Sequence, residues 1–453
     1  MNLIYGIKDK PSFGKVFLFA VQQLLAIMAA TIAVPAIVGN GLSASAALFG
    51  AGVGTFVYLL FTKSSSPVFL GSSFAFIGSM FSAFGGAASV SVGYWGLIIG
   101  ALMAGLVYVI ISIVVKFCGV KWIDILMPPV IIGPTVSIIG LSLSANAVGD
   151  LMKSNIEGGS IYVALICGLV TLAVTMLCST YGKKIGRLIP FILGILAGYV
   201  LASIFALIGY ASDNPALIVI NYGALKALDF GKFSGYLSLP KFTFLLGGAE
   251  GLKGITGTYL LTIFAAYVPV AFVVFAEHLA DHKNLSAIVG VDLLKEPGLT
   301  RTLLGDGIGT MVSTFFGGCP NTTYGESIGC VAITRNASTI SIWGCSILCI
   351  IFSLISPLVA FLETIPSCVM GGVCIALYGF IAVSGFKMFQ KVDLNKNRNL
   401  FVASVIFITG VGGMVVKFGA VEIRTVACAL ILGILTNIML SKEKDEPAEE
   451  KAE

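Results

Sequence analysis

Long apolar runs separated by short polar breaks dominate the chain. A helix needs about 20 predominantly apolar residues to cross the hydrocarbon core of a bilayer. Runs of that kind lie at roughly 15–39, 44–62, 90–115, 122–145, 160–181, 186–211, 256–280, 338–360, 366–386, 398–416 and 419–440. Three further stretches, 66–86, 302–318 and 320–335, are shorter, richer in Gly, Ser and Thr, and interrupted. Together they predict an all-α polytopic membrane protein of fourteen transmembrane segments, with the third and tenth broken.

Composition narrows the function. Of the 453 residues, 57% are apolar and 11% charged, whereas soluble domains are about a quarter charged. A soluble enzyme, a nucleic-acid binder and a disordered scaffold are therefore excluded. There is no nucleotide-binding loop, no HExxH and no soluble domain, so the expectation is a non-enzyme without cofactor or metal. The ten cysteines, such as Cys167, Cys178, Cys345 and Cys349, sit mostly inside apolar runs without C-x2-C spacing. They read as small buried hydrophobes.

Charge sets the orientation. With fourteen alternating spans and a cytoplasmic N-terminus, all but seven of the 27 basic residues fall on the cytoplasmic side, as the positive-inside rule requires. Both termini are then cytoplasmic. No cleavable signal peptide is expected, since the first apolar run is long enough to span. The tail after Ser441 is highly charged and reads as solvated and disordered.

The pattern also repeats. Pro67–Phe74 interrupts the third span and Pro320–Ser327 the tenth, about 253 residues apart. Pro128-Pro-Val-Ile-Ile-Gly133 in the fifth span is matched by Pro366-Ser-Cys-Val-Met-Gly371 in the twelfth. Seven spans separate the members of each pair. Seven is odd, so the expectation is two inverted 7-span repeats, and broken segments in matching positions of inverted halves point to a secondary transporter's binding site. Each break predicts an extended piece followed by a short helix, whose unpaired N–H groups face the midplane. Extended backbone at that depth is tolerated only inside protein or along a cavity.

Carboxylates within spans are costly and usually functional. Glu326 lies in the tenth-span break. Glu277 and Asp281 are four apart on span eight and share a helical face. His278 and His282, the only histidines, occupy an adjacent strip, and Asp306 sits in span nine between Gly305 and Gly307. Asp281 and His282 also fit a simple reading as the cytoplasmic end of span eight. Asp124 and Glu363 read as loop-edge residues. Two carboxylates with opposed helix N-termini suit a small, neutral, polar solute, whose N–H groups meet the carboxylates and whose carbonyls meet the helix N–H groups. Nucleobases present that pattern and stack on aromatics such as Phe74 and Tyr324. A fixed anion fits less well, because no Arg or Lys lies within these segments.

Pro320-Asn-Thr-Thr-Tyr-Gly-Glu-Ser-Ile-Gly329, continuing to Ala332-Ile-Thr-Arg335, closely resembles the signature of the nucleobase–ascorbate transporter family. Ala276-Glu-His-Leu279, Leu70-Gly-Ser-Ser-Phe-Ala-Phe76 and Gln22–Thr31 resemble further motifs of that family. The resemblance implies a core domain (15–116 and 256–360, spans 1–4 and 8–11) and a gate domain (117–211 and 361–440, spans 5–7 and 12–14). An external loop at 212–255, an N-terminus at 1–14 and a tail at 441–453 complete the chain.

It further implies symport coupled to protons, or alternatively sodium, in a plasma-membrane protein that is often a homodimer. Glu277 and Glu326 would hold the base. Phe74 and Tyr324 would line the pocket, Gly325 would offer backbone, and Ala30 would pack beside the substrate. Glu277, Asp281, His282, His278 and Asp306 are the coupling candidates. The purine-type branch commonly has Gln-Asn where this chain has Glu326-Ser327, so Glu326 resembles the uracil branch. The resemblance therefore implies a proton-coupled uracil importer. A purine or xanthine transporter and, from another class, an anion exchanger are the rivals.

Overall fold

The computed structural model describes residues 3–183, 185–390, 392–418 and 421–441. The charged tail beyond Ser441, with Lys184 and Lys391, lies outside the described residues, as does the side chain of Asp124.

The expected stretches each fall on an element. The first four are α1 (Phe13–Val38), α2 (Ala44–Phe61), β1 (Leu70–Ser72) leading to α3 (Ile77–Gly85), and α4 (Val90–Cys118). Next come α5 (Pro129–Ser142), α6 (Ile161–Tyr181), α7 (Pro190–Ala211), α8 (Gly257–Val289) and α9 (Leu299–Gly317). β2 (Asn321–Thr323) leads to α10 (Gly325–Thr334), followed by α11 (Thr339–Leu354), α12 (Ser367–Phe389) and α13 (Asn397–Val411). A hairpin, β3 (Val416–Phe418) and β4 (Val421–Ile423), precedes α14 (Thr425–Met439).

By length and composition, eight of the described helical segments are apolar and long enough to cross a membrane. α3 with the turn before it, α11, α13 and α14 are shorter apolar helices. Several starts carry their own caps: the hydroxyls of Ser43, Ser89 and Thr256 accept from the amides of Ala46, Val92 and Tyr259, satisfying N–H groups that a helix start leaves unpaired. The chain is an all-α polytopic membrane protein.

Boundaries move where proline and short runs intervene. The fifth stretch, expected from 122, divides. A short helix (121–126) stops at Met127, with φ −129° and ψ 63°, because the residue before a proline is pushed out of the helical region. α5 therefore starts after Pro128. The eleventh stretch breaks at Ile355, after which a second short helix (356–363) begins with Pro357 in its first turn. Proline has no N–H to continue the ladder. α8 runs nine residues past the expected 280. The expected external loop holds a helix at Thr243–Lys253, kinked at Gly248, whose carbonyl accepts from the Trp95 indole at 2.8 Å.

Packing joins elements from the two halves. α9 lies against α2 and α4, and α11 against α1 and α2. Small residues allow this closeness: a Cβ on Gly105 would lie 2.6 Å from the Gly307 carbonyl oxygen. α5 packs against α12, α13 and α14, while α12 also packs against α6 and α7. The exposed stripe of α4, with Leu102, Leu106, Ile110 and Ile113, is suited to hydrocarbon.

Candidate functional site

The two broken segments cross at the centre of the fold. β1 and β2 pair antiparallel, Leu70 opposite Thr323 and Ser72 opposite Asn321. Ser73 donates to the Pro320 carbonyl at 2.8 Å and Tyr324 to the Phe69 carbonyl at 3.2 Å. Extended backbone inside a membrane protein needs such partners, and each break supplies the other's. The expectation of an extended piece followed by a short helix is met on both sides. The crossing requires glycine at 71, where a Cβ would stand 2.3 Å from the Tyr324 ring. The Tyr324 hydroxyl donates to the Ser72 carbonyl at 2.8 Å, so its ring is part of the crossing.

A cavity of about 350 Å³ opens where α10 begins. Glu277 and Asp281 on α8, Glu326 on α10, Phe74, Tyr324 and Gly325 all line it. Glu326 stands in the first turn of α10, where a negative charge is favoured by the helix dipole. The Asp281 carboxylate accepts from the Thr323 hydroxyl at 2.6 Å. Glu277 has no hydrogen-bond partner among the described residues, leaving its oxygens as free acceptors. The opposite wall is apolar, with Val136, Ile139, Phe191, Leu377 and Phe380. Phe74 is held edge-on to Tyr378, centroids 5.6 Å apart.

The remaining expected residues lie elsewhere. His278, His282 and Asp306 are fully buried behind the cavity wall and line no part of it. His278 Nδ1 lies 2.7 Å from Asp306 Oδ2, and its Nε2 lies 3.0 Å from the Thr302 hydroxyl. His282 Nδ1 lies 2.8 Å from the His278 carbonyl. A carbonyl only accepts, so Nδ1 carries the hydrogen, and Nε2 lies 2.8 Å from the Tyr58 hydroxyl, which donates to Ser66 at 2.8 Å. The two imidazoles stack with centroids 4.1 Å apart. Asp306 Oδ1 has no partner among the described residues. Ala30 is buried in α1, and the cavity is lined instead by Ala26, one turn earlier.

Three site residues were not singled out in the sequence, and a fourth, Gln23, lay in the span-one stretch that resembles a family motif. Arg187 lines the cavity, brought there from ahead of α7, although no basic residue lies within the breaks themselves. Ser384 joins it from α12. Thr323 positions Asp281. Gln23 donates to both the hydroxyl and the carbonyl of Ser327, and that hydroxyl accepts from the Phe69 amide at 2.9 Å, tying α1 to both breaks. Gln23 and Thr323 carried local signals, since both lie in stretches that resemble family motifs.

Comparison with known proteins fits this arrangement. The Permease family pattern matches residues 14–418. The chain belongs to this family, the nucleobase–ascorbate transporters. It is 36% identical to the uracil permease of Bacillus subtilis over 98% of this chain and 97% of that one. It is 35% identical to the uracil permease of Escherichia coli strain K12, covering 95% and 92%. The fold is similar to the transmembrane domain of a cyanobacterium bicarbonate transporter, BicA (TM-score 0.62, 16% identity, 96% and 99% covered). It is also similar to SLC26A9 (TM-score 0.65, 13% identity, 94% and 64% covered). Identities this low concern the fold alone. Family membership makes the chain a multi-pass membrane transporter and not an enzyme.

Proposed function

We propose that the chain imports uracil across the plasma membrane by proton symport. The observation that carries this reading is the cavity at the β1–β2 crossing, where Glu277, Glu326 and the start of α10 face apolar and aromatic walls. A uracil ring offers N–H donors to the two carboxylates and carbonyl oxygens to the Gly325–Glu326 backbone, with Phe74 and Tyr324 bounding its faces. The uracil permeases similar over nearly the full chain support the same cargo. Three acidic side chains against one guanidinium give the cavity no net positive charge to hold a free anion. The resemblance of fold to a bicarbonate transporter therefore does not extend to cargo.

The coupling proton is assigned to Glu277 and Asp281, which face the cavity, with the buried His278, His282 and Asp306 network behind them as its relay. α1–α4 with α8–α11 form a core that moves against a gate of α5–α7 with α12–α14, giving alternating access in two inverted halves. With fourteen crossings and a cytoplasmic N-terminus, as the basic residues favour, the C-terminus is cytoplasmic too.

Purified protein in liposomes, given labelled uracil and an inward proton gradient without sodium, tests this. Concentrative uptake that collapses with a protonophore is expected. Uptake only with sodium overturns the coupling, and uptake of xanthine but not uracil overturns the cargo.

A further inference from the structure

A second cavity, of about 260 Å³, lies on the other side of Phe74, Ala75 and Ile139, which line both. Each cavity has one arginine in its wall, Arg187 in the larger and Arg424 in the smaller. Both precede the last long helix of their half: Arg187 stands just ahead of α7, and Arg424 caps α14.

The facing half-helices correspond as well. Gly78 and Ser79 of α3 line the smaller cavity, and Gly329 and Cys330 of α10 line the larger. Gly78 lies six residues past the end of β1, and Gly329 lies six past the end of β2.

The two arginines differ in what they touch. Arg424 donates from Nε to the Ser82 hydroxyl at 2.5 Å. Its Nη2 lies 3.3 Å from Glu422, which Lys417 also pairs. The guanidinium stem runs along Gly78 and Gly85, where a Cβ would be 3.9 Å away, and so reaches the C-terminal turn of α3, where cations are favoured. Arg187 is exposed and has no such partner among the described residues.

We propose that Arg424 and Arg187 are alternating clasps of the transport cycle, a reading that rests on the alternating access proposed above. In the state described, Arg424 holds α14 to the end of α3 and keeps the smaller cavity narrow, while Arg187 is released and the larger cavity stands open. In the opposite state Arg187 takes the C-terminal turn of α10, at Ile333 and Thr334, and Arg424 lets α3 go. Ile333 stands as far past β2 as Ser82 stands past β1 and already lines the cavity with Arg187.

The test reads the two cavities with one introduced cysteine at a time, Gly78→Cys or Ser384→Cys, in the full chain carrying Cys118→Ser, Cys178→Ser and Cys330→Ser, the last because Cys330 itself lines the larger cavity. Cys118 and Cys178 are the native cysteines that are not buried among the described residues. Labelling rates with a small maleimide in detergent report access from either side.

Arg424→Ala should raise labelling at position 78 about tenfold and lower it at position 384. Ser82→Ala should do the same more weakly without removing a charge. Arg187→Ala should do the reverse. Rates within twofold of the parent for both arginine variants, or shifts in the same direction, overturn the proposal. Saturating uracil in the parent separates this from the reading beneath it. If uracil shifts the two rates oppositely while the arginine variants do not, the clasps alone fail. If uracil shifts neither rate, alternating access fails and the clasps with it.

Discussion

One helix, α8, carries two strips of titratable side chains that meet opposite environments. Glu277 and Asp281 face an open cavity, and Glu277 has no hydrogen-bond partner among the described residues. His278 and His282, one residue further round, face α2 and α9 and are consumed by Asp306, Thr302, Tyr58 and Ser66. A hundred-degree turn of the helix thus separates groups available to a ligand from groups committed to each other. Residue type does not decide which is which, since Asp306 and Asp281 are the same side chain in different company.

The contrast can be broken from either side. The largest effect should follow Asp306→Ala. Removing the carboxyl leaves the buried His278 Nδ1 without its partner, at about 1–3 kcal/mol, and empties buried volume besides, so a thermal melt should fall steeply. An unchanged melting temperature would mean that the network contributes nothing to stability. Next, Glu326→Ala should abolish uracil binding while the melt stays near the parent's. Losing hydrogen bonds to a charged group, at about 1.5–3 kcal/mol each, weakens binding by roughly ten- to hundredfold per bond. Wild-type affinity by calorimetry would remove Glu326 from the site.

Gly71→Ala tests the crossing itself. The 2.3 Å approach to Tyr324 forces repacking, with an expected cost of about 1–3 kcal/mol in stability and a loss of uptake. Normal uptake would show that the crossing yields. The smallest effect belongs to Thr323→Val, which removes the 2.6 Å bond to Asp281. Worth about 1 kcal/mol, it should change uracil affinity only severalfold, and a change beyond a hundredfold would place Thr323 in direct contact with the ligand.

Much of this was legible before any fold was known. Apolar runs of spanning length required a polytopic helical membrane protein, because hydrocarbon offers backbone groups no partner and only regular helices satisfy their own. The proline-led breaks announced extended segments, and Glu277 with Glu326 stood out because a carboxylate in a span has no inexpensive explanation. Even the spacing of Glu277 and Asp281 gave their common face, since helical periodicity is local.

Relations between distant segments were not legible. Periodicity put His278 and Glu277 on adjacent strips without saying which strip meets the cavity. That depends on how α2 and α9 pack against α8. Ala30 and Ala26 share a strip of α1, and only the β1–β2 crossing decides which turn reaches the cavity. Arg187 entered the cavity wall from a short turn with no marking of its own, and Arg424 met Ser82 across 342 residues of chain. The sequence alone determined what each segment is, because its span, breaks and faces follow from neighbours along the chain. Tertiary structure decided which side chains are free to work, because burial and hydrogen-bond partners are set by segments far away in the chain.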